Sequence, residues 1–239
     1  MTLTIVPIHG IAQIAPGDDL AGIIIDACTA TAELPRGLAN GDVVVVTSKI
    51  VSKAEDRLVA VDPDDPLAHK PLVERESVRI LRRRGELIIS ETAQGFVCAN
   101  AGIDLSNIER GYAALLPVDC DRSARRIRDG IRGRTGAEIA VIVSDTFGRA
   151  WRRGVTDVAL GCAGIAALID LKGTIDAVGR ELQVTEIAVA DELAAASDLV
   201  MGKAANVPVA VLRGVDASWF REGSVHEELV RHPADDLFR

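Results

Sequence analysis

Short, uninterrupted apolar runs in this chain break off into clusters of hydroxyl and charged residues, and the pattern occurs twice. The stretch 138–154 opens with the run Ile139-Ala140-Val141-Ile142-Val143 and turns polar at Ser144, Asp145 and Thr146. Arg149, Arg152 and Arg153 follow, between Gly148 and Gly154. Such a run reads as a strand buried on both faces, with a polar end. Residues 43–46, four valines introduced by Gly41-Asp42, repeat the pattern and run out into Thr47, Ser48 and Lys49, then Ser52, Lys53, Ala54 and Glu55. Further strands are expected at 3–6, 111–117, 182–184 and 208–213, with a hairpin-like pair at 86–91 and 95–99. Helices are expected at 20–30 behind a Pro16–Asp19 turn and cap, at 72–84 closed by Gly85, and at 124–134 capped from 119–123. Two more are expected at 158–167 and at 185–201, the latter with acidic residues near its start and an alanine-rich body.

Turns fill the intervals: Pro7-Ile8-His9-Gly10, an acidic proline-bearing loop at 62–66, and a turn-rich connection at 168–179. No repeat, low-complexity tract or interdomain linker interrupts the order. The expectation is one domain over 1–239, α+β with mixed sheets and flanking helices, and a polar, partly mobile tail from about 215. At 239 residues and 48% hydrophobic content the chain has the material for a large core, and at 3% aromatic that core is built of Val, Ile, Leu and Ala.

The net charge of -8 argues against a general nucleic-acid binder, although the clustered arginines leave room for a local basic pocket. Cys28, Cys98, Cys120 and Cys162 form no C-x-x-C pair and have no histidine at zinc-finger spacing, so they read as reduced, buried thiols of a cytoplasmic protein. The N-terminus lacks the basic region of a signal peptide. The longest uncharged apolar run, 158–169, is shorter than the roughly 20 residues a membrane helix needs.

Open α/β sheets hold ligands just beyond the carboxyl ends of their strands. Asp145 with a neighbouring hydroxyl at such an edge suits a hard divalent cation, and the arginines suit phosphate or carboxylate; a solvated turn is the plainer alternative. Asp104, Ser106 and Asn107 offer a carboxylate, a hydroxyl and an amide in one loop, either as ligands or as an Asx-turn. Ser48, Lys49 and Lys53 suit a phosphate tail, or else begin a solvated helix. Met201-Gly202-Lys203 offers backbone amides and an ammonium at a helix end, or else, as its spacing favours, is simply a C-cap. Trp151 is a stacking surface for a flat ring or a core anchor at the surface. Neither a Walker motif nor G-x-G-x-x-G is present, and the four histidines are scattered.

The segments 41–55, 100–107, 144–149 and 189–194, in that order, resemble the coenzyme F420-0:gamma-glutamyl ligases, over about 5–214 of the chain. That resemblance implies a GTP-dependent enzyme that adds L-glutamate to the lactyl-phosphate side chain of F420-0 through a gamma-linkage. It implies magnesium or manganese, with potassium as a further candidate ion, and an intertwined homodimer. On it, Asp104, Asp145 and Thr146 correspond to metal ligands. Ile11, Ala12, Gln13 and Ile14, with Ser48, Lys49, Lys53 and Asn107, correspond to GTP contacts, and Met201, Gly202 and Lys203 begin a further GTP-binding segment that runs to Pro208. Some members carry an acidic metal ligand where this chain has Lys203, so either a second metal is held differently or Lys203 touches phosphate itself. The sequence looks nearest the actinobacterial type, and the fused C-terminal reductase-like domain common there is expected to be absent.

Joining a carboxylate to an amine requires activation, so an acyl phosphate formed from GTP is the expected intermediate. Arg149, Arg152 and Arg153 are expected to hold the F420-0 phosphodiester or the incoming glutamate. Two other classes use the same residues: a metal-dependent phosphohydrolase, and a non-catalytic GTP-binding partner of a reductase. Nucleic acid and membrane are not expected partners.

Overall fold

The computed structural model describes residues 2–236. In chain order the elements are β1 (Thr4–Ile8), α1 (Leu20–Ala30), β2 (Val43–Thr47), α2 (Ser48–Ala54), β3 (Leu58–Ala60), α3 (Lys70–Glu76), β4 (Ser77–Arg84), β5 (Leu87–Thr92) and β6 (Val97–Ala99). Then come β7 (Tyr112–Ala114), α4 (Cys120–Thr135), β8 (Ala140–Gly148), β9 (Val155–Ala163), β10 (Ile169–Asp170), β11 (Glu186–Ile187), α5 (Val189–Met201), β12 (Val209–Arg213) and α6 (Val225–Glu228). The fold is α+β, as expected.

Five strands form the central sheet in the order β1-β12-β2-β8-β9. Only β2 and β8 run parallel; every other pairing in it is antiparallel. All four valines of β2 are fully buried, as are Ala140 to Val143 of β8, so both faces of the sheet centre are covered. Helix α4 packs on β8, β9 and α1, and α5 packs on β9, β1 and β12. Burying a Val or Ile side chain is worth about 1.5–3 kcal/mol, which makes this run of β-branched residues the main adhesive of the domain. Asp42, at the entrance to β2, is fully buried and takes two hydrogen bonds from Arg213 at 2.8 and 2.7 Å. That pair fixes where β12 ends against where β2 begins.

A second, smaller body of structure joins the three-stranded sheet β4-β5-β6 and the β3–β7 pair around Val73, Ile88, Ala101, Ile103, Ala113 and Leu115. It carries the loop that holds Asp104 and Asn107.

Several elements differ from the sequence expectation. The helix expected at 72–84 is α3 followed by strand β4, because residues 77–84 find a free edge in β5 and pair along it; Gly85, at φ 57°, makes the hairpin turn rather than a helix cap. The helix expected at 158–167 lies largely in β9. A short apolar run fits a buried strand or a buried helix equally well, and pairing with β8 decides it. The strand expected at 182–184 is absent among the described residues, and pairing falls instead between β10 and β11. α5 begins at Val189, not 185. Pro7 does not turn the chain: β1 runs on to Ile8, since β1 is the sheet edge, where a missing N–H breaks no ladder. The tail docks. Asp121 accepts from Ser224 Oγ and from the Val225 and His226 N–H groups at 2.7, 3.0 and 3.2 Å, and Val225 is buried. Residues 237–239 of that tail lie outside the described residues.

The approach of β9 to α4 depends on Gly161. A Cβ there would lie 2.2 Å from the Cys120 carbonyl carbon, so helix and strand would have to separate. Gly161→Ala is expected to destabilise the fold by about 1–3 kcal/mol, seen as a lower urea midpoint with an unchanged slope.

Candidate functional site

The parallel pair sets the site. Thr47 lies opposite Ser144 across β2 and β8, so both strands deliver their polar residues to one end of the sheet. Beyond Thr47 the chain turns directly into α2, which places Ser48, Lys49 and Lys53 over that end. β8 does not stop at Ser144 as expected. It continues through Gly148, paired with β9. Between Val143 and Ser144 the register slips, so that Val143 faces Gly161 while Ser144 faces Ala159. The extra residue is a bulge, a device that re-aims neighbouring side chains. It brings Thr146 opposite Asp157.

A cleft opens here with about 860 Å³ of empty space, part of it continuous with solvent. Ile11, Ala12, Gln13 and Ile14 form one wall, and Thr47, Lys49, Ile50 and Lys53 another. Asp104 and Asn107 enter from the smaller body, Ser144, Asp145, Thr146 and Asp157 from the sheet, and Asp198, Met201, Gly202, Lys203 and residues 206–208 from α5 and the segment after it.

Its charges are held close together. The Lys53 ammonium is largely buried, bonded to Gln13 Oε1 at 3.0 Å and to the Asn107 carbonyl at 3.1 Å. Burial and then the charge of Lys49 lower its pKa. An ammonium has three donors, so one N–H remains for a ligand. Lys49 pairs with Asp104 at 2.7 Å and with Ser106 Oγ at 3.0 Å. Burial pushes the Asp104 carboxyl up, but Lys49 and Ser106 outweigh it and the net shift is downward. Among the described residues Asp145 has no such ion-pair partner. Burial, with the charges of Asp104 and Asp157 adding to it, pushes its carboxyl up to about 6, against relief from the Thr146 N–H and from Lys203. Asp198 is likewise raised, by burial and by Asp157. The Asn107 side chain donates to the Lys203 carbonyl at 3.2 Å, tying the two loops across the cleft.

Most of the expected site residues therefore meet in one place. Ser48 is the exception within α2: it is buried beside the cleft without lining it. Arg149, Arg152 and Arg153 also stand outside the lining. They sit on the exposed β8–β9 turn, where Arg149 donates to the Arg153 carbonyl at 3.1 Å. Trp151, on the same turn, is 84% exposed and is no core anchor. Sequence reasoning missed Asp157 and Asp198. Asp157 stands next to a run taken for a helix, and only its pairing with β8 shows that it faces Thr146. Asp198 stands on the predicted helix of 185–201, where nothing in the spacing sets it apart from a solvated face.

Among the described residues no three His, Cys, Asp or Glu side chains are grouped to cage a metal. Magnesium-type sites rarely need such a cage, because one or two carboxylates act with substrate phosphates. The donor set fits that kind of ion: all the cleft's acidic groups are hard oxygen donors, and a cation would relieve the burial and the neighbouring negative charges that raise Asp145.

Fold and site together define an α+β protein whose mixed sheet opens, at its one parallel strand pair, onto a cleft lined by lysines and carboxylates. Residues 10–214 match the family model described as F420-0:gamma-glutamyl ligase. A coenzyme F420:L-glutamate ligase of Methanothermobacter thermautotrophicus is 41% identical over 254 aligned positions, covering 100% of both chains. One from Methanopyrus kandleri is 38% identical, covering 100% of this chain and 98% of the relative. One from Methanococcus maripaludis is 38% identical across 84% and 86% of the two. The chain belongs to the F420-0:gamma-glutamyl ligase family.

The raised Asp145 carboxyl carries a stability prediction. Its folded pKa of about 6 exceeds the free value of 3.8, so the native state binds the proton more tightly than the unfolded chain. Its ionisation therefore costs nothing below about pH 4 and up to about 3 kcal/mol above about pH 6. With chelator present, Asp145→Asn is expected to raise the unfolding free energy near pH 8 by up to that amount. The gain should disappear near pH 4, as followed by urea unfolding at the two pH values.

Proposed function

We propose that this protein joins L-glutamate to coenzyme F420-0 through a gamma-linkage, using GTP and a divalent metal. The observation that supports this best is the convergence in one cleft of three lysines and four carboxylates, drawn from distant segments of a chain in this family. The F420-0 carboxylate attacks the γ-phosphorus of GTP, the bond to GDP breaks, and an acyl phosphate forms. The glutamate amine then attacks the acyl carbon, the bond to phosphate breaks, and the amine gives up a proton as the amide forms.

Lys53 directs its remaining N–H to the nucleotide phosphates, held in place by Gln13 and the Asn107 carbonyl. Lys49 leaves Asp104 for phosphate, which frees that carboxylate. Asp104, Asp145 and Thr146 would hold the metal, which when bound would supply positive charge against the phosphate oxygens. Lys203 cannot ligate a cation while protonated; in this reading it binds phosphate and eases the charge on Asp145 and Asp198. Arg149, Arg152 and Arg153 reach the F420-0 phosphodiester or the glutamate carboxylates from the β8–β9 turn, outside the cleft.

Incubation with F420-0, GTP, manganese and glutamate, followed by mass spectrometry, is expected to show glutamylated F420. GDP release should be slight when F420-0 and glutamate are omitted. Asp145→Asn is expected to lower product formation by at least about 100-fold without unfolding the chain. Full GDP release without the two co-substrates would identify a hydrolase instead.

A further inference from the structure

Asp157 is a buried carboxylate at the cleft, 4% exposed, with no ion-pair partner among the described residues. Its two oxygens are both engaged by hydroxyls of the neighbouring strand. Thr146 Oγ1 donates to Oδ1 at 2.5 Å, and Ser144 Oγ donates to Oδ2 at 3.0 Å. Ser144 and Thr146 are two residues apart on β8, so both present their side chains to the same side as Asp157. The bulge at Leu160 of β9, facing the step from Val143 to Ser144, is what sets Asp157 opposite Thr146.

An ionised carboxylate only accepts, and a threonine hydroxyl has one proton and two lone pairs. With its proton committed to Asp157, the Thr146 oxygen turns only lone pairs toward the cleft. Without that acceptor the hydroxyl would donate to other carboxylates there, and its proton would face any cation.

We propose that Asp157 is a positioning residue: by taking the proton of Thr146 it aims that hydroxyl oxygen, as an acceptor, at a divalent cation in the cleft. The inference rests on the metal assigned to Asp104, Asp145 and Thr146 in the ligase reading. Asp157 does not touch the metal or the reacting atoms. It acts through Thr146, as the outer partners of metal ligands generally do.

The test is manganese affinity, read from the electron paramagnetic resonance of free Mn²⁺, with and without GTP, and separately from turnover. Asp157→Ala is expected to weaken Mn²⁺ binding about 10–100-fold. Asp157→Asn, whose amide oxygen can still take the Thr146 proton, should recover much of that loss. Thr146→Val should weaken binding to a similar degree, and the double variant Asp157→Ala/Thr146→Val should be no weaker than Thr146→Val alone, because both changes remove one interaction. Losses that multiply in the double variant, or Asp157→Asn as weak as Asp157→Ala, would overturn the proposal. So would unchanged affinity in Asp157→Ala. Should Asp157→Ala fail to fold, Thr146→Val with wild-type affinity overturns it alone. A wild-type protein that takes up no Mn²⁺ under either condition overturns it as well. Protein that binds Mn²⁺ in the expected pattern but makes no glutamylated F420 defeats the ligase reading and leaves this inference standing.

Discussion

Everything at the cleft depends on β2 and β8 lying side by side in the same direction. Parallel neighbours end on the same side of a sheet, and here the shared end is polar in both strands. If β2 ran antiparallel to β8, Lys49 and Lys53 would emerge at the opposite edge from Asp145. The pairing is enforced by apolar burial, since both strands are covered on both faces and a shift of one residue would disturb every contact. The Asp42–Arg213 pair then pins the far end, so the register cannot slide. Stability is thus concentrated in the valine and isoleucine runs, and chemistry is set just past their ends.

The cleft itself is built against stability. Asp104, Asp145, Asp157 and Asp198 crowd one end of the sheet, and the lysines compensate them unevenly. Lys49 pairs directly with Asp104, whereas Asp145 has the Thr146 N–H and the more distant charge of Lys203. A surplus of buried and half-buried negative charge is costly in itself and favours a neighbouring cation. The same arrangement keeps ammonium groups within reach for a polyanion. Two ligands of opposite sign would then complete what the protein leaves unbalanced, which is the electrostatic logic of phosphoryl transfer.

The sequence made some of this plain and hid the rest for physical reasons. β2 and α1 were legible because four valines bounded by Gly-Asp and by Thr-Ser-Lys, or a helix behind Pro-Gly-Asp-Asp, admit few other readings; α1 spans 20–30 as expected, with Asp19 accepting from the Gly22 N–H. β4 was not, because Arg-rich residues with helical spacing follow α3 directly and only the β5 edge makes them a strand. β9 was not, because its apolar residues have no period that separates strand from buried helix. At the site, residues in polar clusters after strands were legible. Asp157 was not: its importance comes from a bulge in its own strand at Leu160, seen only against the register of β8, and pairing across strands is not written in either strand alone. The exposed arginines show the converse, since clustering in sequence with Asp145 did not bring them into the cleft.

Anomalous diffraction from crystals grown with manganese and a non-hydrolysable GTP analogue bears most directly on the account. A manganese peak bonded to carboxylate oxygens of both Asp104 and Asp145, with the nucleotide phosphates against Lys49 and Lys53, is the predicted result. Manganese bound away from these two carboxylates, or a nucleotide seated outside the cleft, would contradict it.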